Sequence, residues 1–134
     1  MENREIKFRG LYHQSVSNTI GWVYGNLILG TGPKGGKFAQ IEHSDFHDYA
    51  LYEVDPKTVG QYTGLKDADG VDVYHGDIVE TINGRFAVEW NDDTCSFQFS
   101  DGSPINSGEN YGTWKVVVGN VHENSELLTP PASQ

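Results

Sequence analysis

The stretch from Val59 to Glu80, VGQYTGLKDADGVDVYHGDIVE, constrains the fold more than any other part of the chain. Gly60, Gly64, Gly70 and Gly76 fall between short apolar and aromatic pieces, and the stretch closes on Gly76-Asp77-Ile78-Val79. That is the grammar of tight turns feeding short strands, not of a catalytic loop. Its residues read as a structural motif. Gly60, Gly64 and Gly76 allow backbone angles closed to other residues, with Gly70 in an Asp69-Gly70 turn. Asp67 and Asp77 accept from nearby backbone N–H groups in Asx-type turns, and Tyr62, Leu65 and Tyr74 supply apolar anchors.

The flanking sequence repeats the theme. Glu5 to Leu11 alternates as an ordinary half-buried strand, with Ile6 and Phe8 on one face and Lys7 and Arg9 on the other. Gly21–Tyr24 and Leu27–Leu29 flank Gly25-Asn26 and predict a hairpin. Gly30 to Gly36 is a mobile loop; its Gly36-Lys37 is followed by Phe38 and lacks the Ser/Thr and helix that a phosphate-binding loop needs. Phe38–Glu42 and Ala50–Val54 are strand-like, and Asp55-Pro56 ends the second. Asn83-Gly84 predicts a second hairpin in which Thr81 faces Phe86 and Val79 faces Val88. Val79, Phe86, Val88 and Trp90 then share a largely apolar face. Cys95 to Phe99 alternates as a strand, 101–112 is a long polar loop, and Trp114 to Val118 is a buried-type strand. Asn120 to Leu128 holds one helical turn capped by Asn124 or Ser125.

Many short strands at close spacing predict an all-β chain of small barrel-like sheets joined by Gly-rich turns, with one short helix at most. At 134 residues it is a single domain over 1–128, or two small β lobes at 1–55 and 56–128, with a frayed tail at 129–134. A chain of this size buries roughly two-thirds of its unfolded surface and needs no metal or disulfide staple.

The formal charge is −10, and between Asp67 and Asp101 nine acidic residues stand against one basic residue, Arg85. Such a surface repels nucleic-acid phosphate, so no nucleic-acid partner is expected. Its bland role is solvation, and its sharper one is recognition of a basic partner. The single cysteine, Cys95, forms no internal disulfide and suits a reducing cytoplasm. The first residues lack the apolar stretch of a signal peptide, and no run approaches a membrane span. A soluble protein of a bacterial cytoplasm, without a membrane partner, is the expectation.

Three segments carry a family resemblance: Arg4–Arg9, Val59 to Val79, and Val118 to Leu128. Their order and spacing resemble the YopX family, small proteins of bacteriophages and prophages. His75 stands where the family usually has an acidic residue, and Ser125 where it often has proline. The resemblance implies a β-rich fold, a phage or prophage origin and a homo-oligomer. It carries no catalytic or cofactor-binding residue across.

Little else points to chemistry. His43, Asp45, His47 and Asp48 are the densest cluster of metal-ligand types. On an extended strand His43, Asp45 and His47 point to one side, a set suited to Zn or non-haem Fe. It is not the His-Glu-x-x-His of metal helices, and a fourth ligand has to come from His13, His75 or His122. A polar loop is the plainer reading, so no metal is assigned. Cys95 has no basic neighbour to activate it, and no Gly-x-Ser-x-Gly elbow is present. Trp22, Trp90, Trp114 and the tyrosines lack the interleaved Lys or Arg of a single-strand-binding surface; core packing and subunit contact are their better home. The expected function is a non-enzymatic, phage-type module for protein interaction or assembly, a homo-oligomer that contacts a host or phage protein and uses no cofactor. The alternatives are an acidic binder or inhibitor of a basic host protein, and a metal-dependent enzyme using His43, Asp45 and His47.

Overall fold

The structure, a computed structural model, describes residues 5–14, 19–44, 47–105 and 116–128. The expectations for Arg4, Asp45, 106–112, Trp114 and 129–134 fall outside the described residues. The strands are β1 (Phe8–Gln14), β2 (Thr19–Thr31), β3 (Lys37–Ser44), β4 (Tyr49–Val54), β5 (Gly60–Lys66), β6 (Asp72–Tyr74), β7 (Asp77–Thr81), β8 (Gly84–Asn91), β9 (Ser96–Phe99) and β10 (Val116–Asn120). They form two antiparallel sheets, and the only helical pieces among the described residues are 3₁₀ turns at Pro56–Thr58 and Ser125–Leu128. None of these is long and apolar enough to cross a membrane. The protein is therefore all-β. The chain divides into two compact units, Met1–Tyr62 and Thr63–Gln134.

In the first unit β1 pairs with the first half of β2, from Phe8↔Gly25 to Gln14↔Thr19. The second half of β2, from Asn26, pairs with β3, and β3 pairs with β4. β4 returns to β1 at Tyr12↔Val54, so the four strands make a closed circuit. Beside β1, Phe8 and Arg9 also pair with Gln61 and Gly60 of β5. Ala39, Ile41 and Val54 are buried inside, with Phe8, Tyr12, Val23, Leu27, Tyr52 and Val59 against them. Burying a side chain such as Ile41 completely stabilises the fold by about 1.5–3 kcal/mol. Gly10 permits the closure, because a Cβ there would lie 2.6 Å from Val54 Cγ2.

Two expectations fail in this unit. The hairpin at Gly25-Asn26 does not form; both residues lie inside the 13-residue strand β2. They mark the hand-over of β2 from one partner to the next. A Cβ on Gly25 would sit 2.1 Å from the Glu42 carbonyl oxygen, so this glycine serves a close approach of backbones, not a turn. In the N-terminal strand Phe8 packs toward the core as expected, but the burial expected of Ile6 and Arg9 is reversed. Ile6 is 60% exposed and Arg9 only 6%. β1 begins at Phe8, which leaves Ile6 outside the pleat. Arg9 Cζ lies 4.5 Å from the Trp22 ring centroid, where a planar, weakly hydrated cation tolerates burial. The Gly-rich loop after β2 is a tight connection, with Gly32 and Gly36 bonded at 2.6 Å and Gly35 N–H donating to the Gly32 carbonyl. Asp55 ends β4 and accepts from Lys57 N–H at 3.0 Å, with Pro56 opening the 3₁₀ turn.

In the second unit β6 is hydrogen-bonded to β5, and a sheet of order β10-β7-β8-β9 follows. Val73, Val79, Val88 and Phe99 are its buried core, with Phe86, Phe97, Ile105 and Val117 packed against them. The β7–β8 hairpin forms with a register other than the expected one. Val79 faces Phe86 and Thr81 faces Gly84, so Ile82-Asn83 is the turn and Gly84 closes it at φ 127°. Thr81 Oγ1 accepts from Asn83 N–H at 3.0 Å and donates to the Gly84 carbonyl at 3.1 Å, which fixes that turn. The shift is two residues, so Val79, Phe86 and Val88 still share a face; a one-residue slip would have turned them out. β9 starts at Ser96, because Cys95 adopts φ 52° in the preceding turn.

Candidate functional site

The Val59–Glu80 motif spends its polar atoms on backbone. Gly64, Gly70 and Gly76 have φ of 90°, 82° and 94°. Gly60 does not; it is a buried strand residue opposite Arg9. Tyr62 is buried, with Lys7 Nζ 4.8 Å from its ring centroid. Leu65 N–H donates to Thr63 Oγ1, which donates to the Val73 carbonyl at 2.8 Å. Asp67 Oδ1 accepts from Asp69 and Val71 N–H, and its Oδ2 accepts from Val117 N–H at 2.9 Å, fifty residues along the chain. Asp77, 2% exposed, accepts from the N–H of buried Tyr74 at 2.7 Å. Gly76 donates to the Val88 carbonyl and accepts from Val121 N–H. The cavity beside Asp67, lined by Leu65, Val73, Val79, Phe99 and Ile105, measures about 20 Å³. That is room for a water, not a substrate.

The histidine-rich segment is not a single extended strand: β3 ends at Ser44 and β4 begins at Tyr49. His43 Nδ1 lies 3.2 Å from the Tyr24 carbonyl oxygen. His47 and Asp48 are exposed, and Asp45 is outside the described residues. Among the described residues no three His, Cys, Asp or Glu side chains converge. Cys95 is exposed on its turn, its Sγ 3.5 Å from the Asp92 carbonyl.

The arrangement that stands out is one that sequence reasoning missed: the outer face of β2, β3 and β4. The pairing sets three rows across it. Ser44 and Tyr49 form the first, Asn26, Glu42 and Leu51 the second, and Ile28, Gln40 and Glu53 the third, while Tyr24, of the same parity as Asn26 and Ile28, lies where β2 has passed to β1 and pairs with Arg9. Tyr24 is 43% exposed, Ile28 37%, Tyr49 60% and Leu51 45%. Glu42 lies at the centre. Its Oε1 accepts from Asn26 Nδ2 at 3.3 Å and its Oε2 from the Tyr49 hydroxyl at 3.1 Å. That hydrogen bond, with smaller contributions from desolvation and the Glu42 charge, raises the Tyr49 pKa above the ordinary tyrosine value. A groove of about 320 Å³ opens alongside, between the segment Glu5, Ile6 and Lys7 and the edge formed by Tyr24, Asn26, Glu42 and Ser44. Lys7 Nζ pairs with Glu5 at 3.4 Å at that border. The signal was present in Tyr24-x-Asn26-x-Ile28 and Tyr49-x-Leu51-x-Glu53. Reading Gly25-Asn26 as a turn cut the first pattern in two.

An all-β protein of small antiparallel units, with its exposed chemistry on a sheet face, is the class these features define. The family model described as YopX protein matches residues 8–129, nearly the whole chain, and the chain belongs to the YopX family. Among solved structures it is similar to the crystal structure of protein EF1440 from Enterococcus faecalis. The identity is 20%, the TM-score is 0.55, and the match covers 94% of this chain and 99% of that one. At that identity the likeness speaks for the fold alone. The comparison with curated proteins returns no match.

Proposed function

We propose that this protein is a phage-type interaction module that works by binding another protein and not by catalysis. The carrying observation is the outer face of β2–β3–β4, where Tyr24, Ile28, Tyr49 and Leu51 are exposed together around one carboxylate. Apolar and aromatic side chains grouped on a polar-rimmed face are the usual mark of a protein contact. Other groups that could do chemistry have structural roles: Asp67 and Asp77 hold backbone N–H groups, and His43 sits against a carbonyl. Membership of the YopX family supports a phage or prophage origin.

The test is affinity capture from bacterial and phage-infected lysates, together with sedimentation velocity. The bait is compared with a variant carrying Tyr24→Ser, Tyr49→Ser and Leu51→Ser. A partner retained by the native chain and lost by the triple substitution is the expected result; a self-association lost in the same way supports assembly of copies. The reading is refuted if the native chain sediments as a monomer at high concentration and both baits retain the same proteins in the same amounts.

A further inference from the structure

We propose that the outer face of β2–β3–β4 receives a basic protein segment, an arginine or lysine side chain of the partner lying against Glu42 between Tyr24 and Tyr49. The inference rests on the reading of this face as a protein contact and names the chemistry of its occupant.

Glu42 is half-buried and its two described partners, Asn26 and Tyr49, are neutral donors. A carboxylate held by neutral groups keeps its full charge for an incoming cation, and charge-assisted bonds are roughly twice as strong as neutral ones. Tyr49 stands on β4 one row from Glu42, and Tyr24 stands on β2 two residues before Asn26, the residue paired with Glu42. The Tyr49 ring, 60% exposed, offers a face to a guanidinium or ammonium while Glu42 takes its N–H groups. Leu51 and Ile28 extend the patch for the apolar part of a long cationic side chain or for its neighbours.

Charge complementarity selects this occupant over the others. Glu42 and Glu53 point outward and no Lys, Arg or His shares their parity on the three strands; the nearest cation on that side, Arg9 paired with Tyr24, is only 6% exposed and stacked on Trp22. The chain as a whole carries −10, so its field draws basic partners and slows acidic ones. A second copy would bring a further −10 and set carboxylate against carboxylate. A nucleic acid would bring phosphate to the same face.

The experiment measures fluorescence anisotropy of three labelled octapeptides, in which leucine alternates with arginine, serine or glutamate. Salt is about 0.15 M, where screening acts over about 8 Å. The proteins are the native chain, Glu42→Gln, Tyr49→Ala and the control Glu89→Gln on β8, each checked for native circular dichroism. The arginine peptide is expected to bind tightest. Glu42→Gln should weaken it about fivefold, the upper range for an exposed ion pair, and Tyr49→Ala by a similar factor. Glu89→Gln should leave it within about twofold. Equal weakening by Glu42→Gln and Glu89→Gln overturns the site, because net charge alone would then explain the binding. A serine peptide bound as tightly as the arginine peptide overturns the cationic occupant and leaves the interaction-module reading standing. Binding of none of the three overturns the inference, while the module reading is judged by partner capture.

Discussion

Asp67 offers a measurable test of how the motif holds the second unit. Its Oδ1 takes the N–H groups of Asp69 and Val71, and its Oδ2 takes that of Val117 on β10. The first two bonds are exposed and water replaces them readily, so each contributes about 0.5–1 kcal/mol. The third is partly buried and charge-assisted, which places it at roughly 1.5–2 kcal/mol. Asp67→Ala should therefore cost about 3 kcal/mol. Asp67→Asn is the sharper variant. Asparagine supports Asx turns, so its oxygen keeps the Asp69 and Val71 bonds. Its amide nitrogen then faces Val117 N–H, donor against donor. The expected cost is about 1–3 kcal/mol, most of the alanine effect, from a change that removes no heavy atom.

Urea unfolding should show the order native, Asp67→Asn, Asp67→Ala, with Asp69→Ala within about 0.5 kcal/mol of native. Amide exchange at Val117 supplies the local readout: both Asp67 variants should speed it more than they speed the amides of β8. An Asp67→Asn protein as stable as the native one, with Val117 exchange unchanged, would refute the account.

Gly25→Ala places a Cβ 2.1 Å from the Glu42 carbonyl, a backbone atom that cannot rotate away. The expected cost is at least the roughly 1–3 kcal/mol typical of overpacking, read by urea unfolding. Tyr49 should titrate above ordinary tyrosines because its hydroxyl bonds Glu42, with desolvation and the Glu42 charge adding to the rise. Its raised folded pKa means that this contribution is present below the ordinary tyrosine pKa and is lost as pH rises through the folded value. Glu42→Gln should bring Tyr49 back toward 10.0 in an absorbance or NMR titration, and an unmoved midpoint would deny the contact. Asp101 is held below 3.8 first by the Ser103 hydroxyl and next by Ser103 N–H. Its contribution is present above the ordinary aspartate pKa and is lost as pH falls through the lower folded value. Ser103→Ala should raise the Asp101 midpoint by NMR, and no change would contradict that order of causes.

The all-β class was legible because glycine spacing and strand alternation are local properties, and local properties survive folding here. Pairing was legible only in part. The β7–β8 hairpin kept its inward face despite the wrong register, since a shift of two residues preserves side-chain parity. β2 was misread because one strand serves two partners, and the glycine at the hand-over looks, in sequence, like the glycine of a turn. Arg9 was misread because a cation stacked on Trp22 does not obey the rule that charge faces water. The outer face of β2–β3–β4 was lost with β2: its rows exist only once the three strands are aligned.

The acidic surplus shows why composition alone could not locate a site. In the sequence, its carboxylates are interchangeable sources of negative charge. In the structure they separate by partner. Asp67 and Asp77 are committed to backbone N–H groups, and any ligand drawing on them would have to break turns. Glu80 and Asp72 face cations of their own strands' neighbours, Arg85 at 3.5 Å and Lys66. Glu42 alone of these five has neutral described partners on an exposed, aromatic-flanked face. Capacity for a partner thus follows from what each carboxylate is already bound to. By that criterion the place to look is a strand residue that carries no motif, and not the glycine-rich stretch that identifies the family.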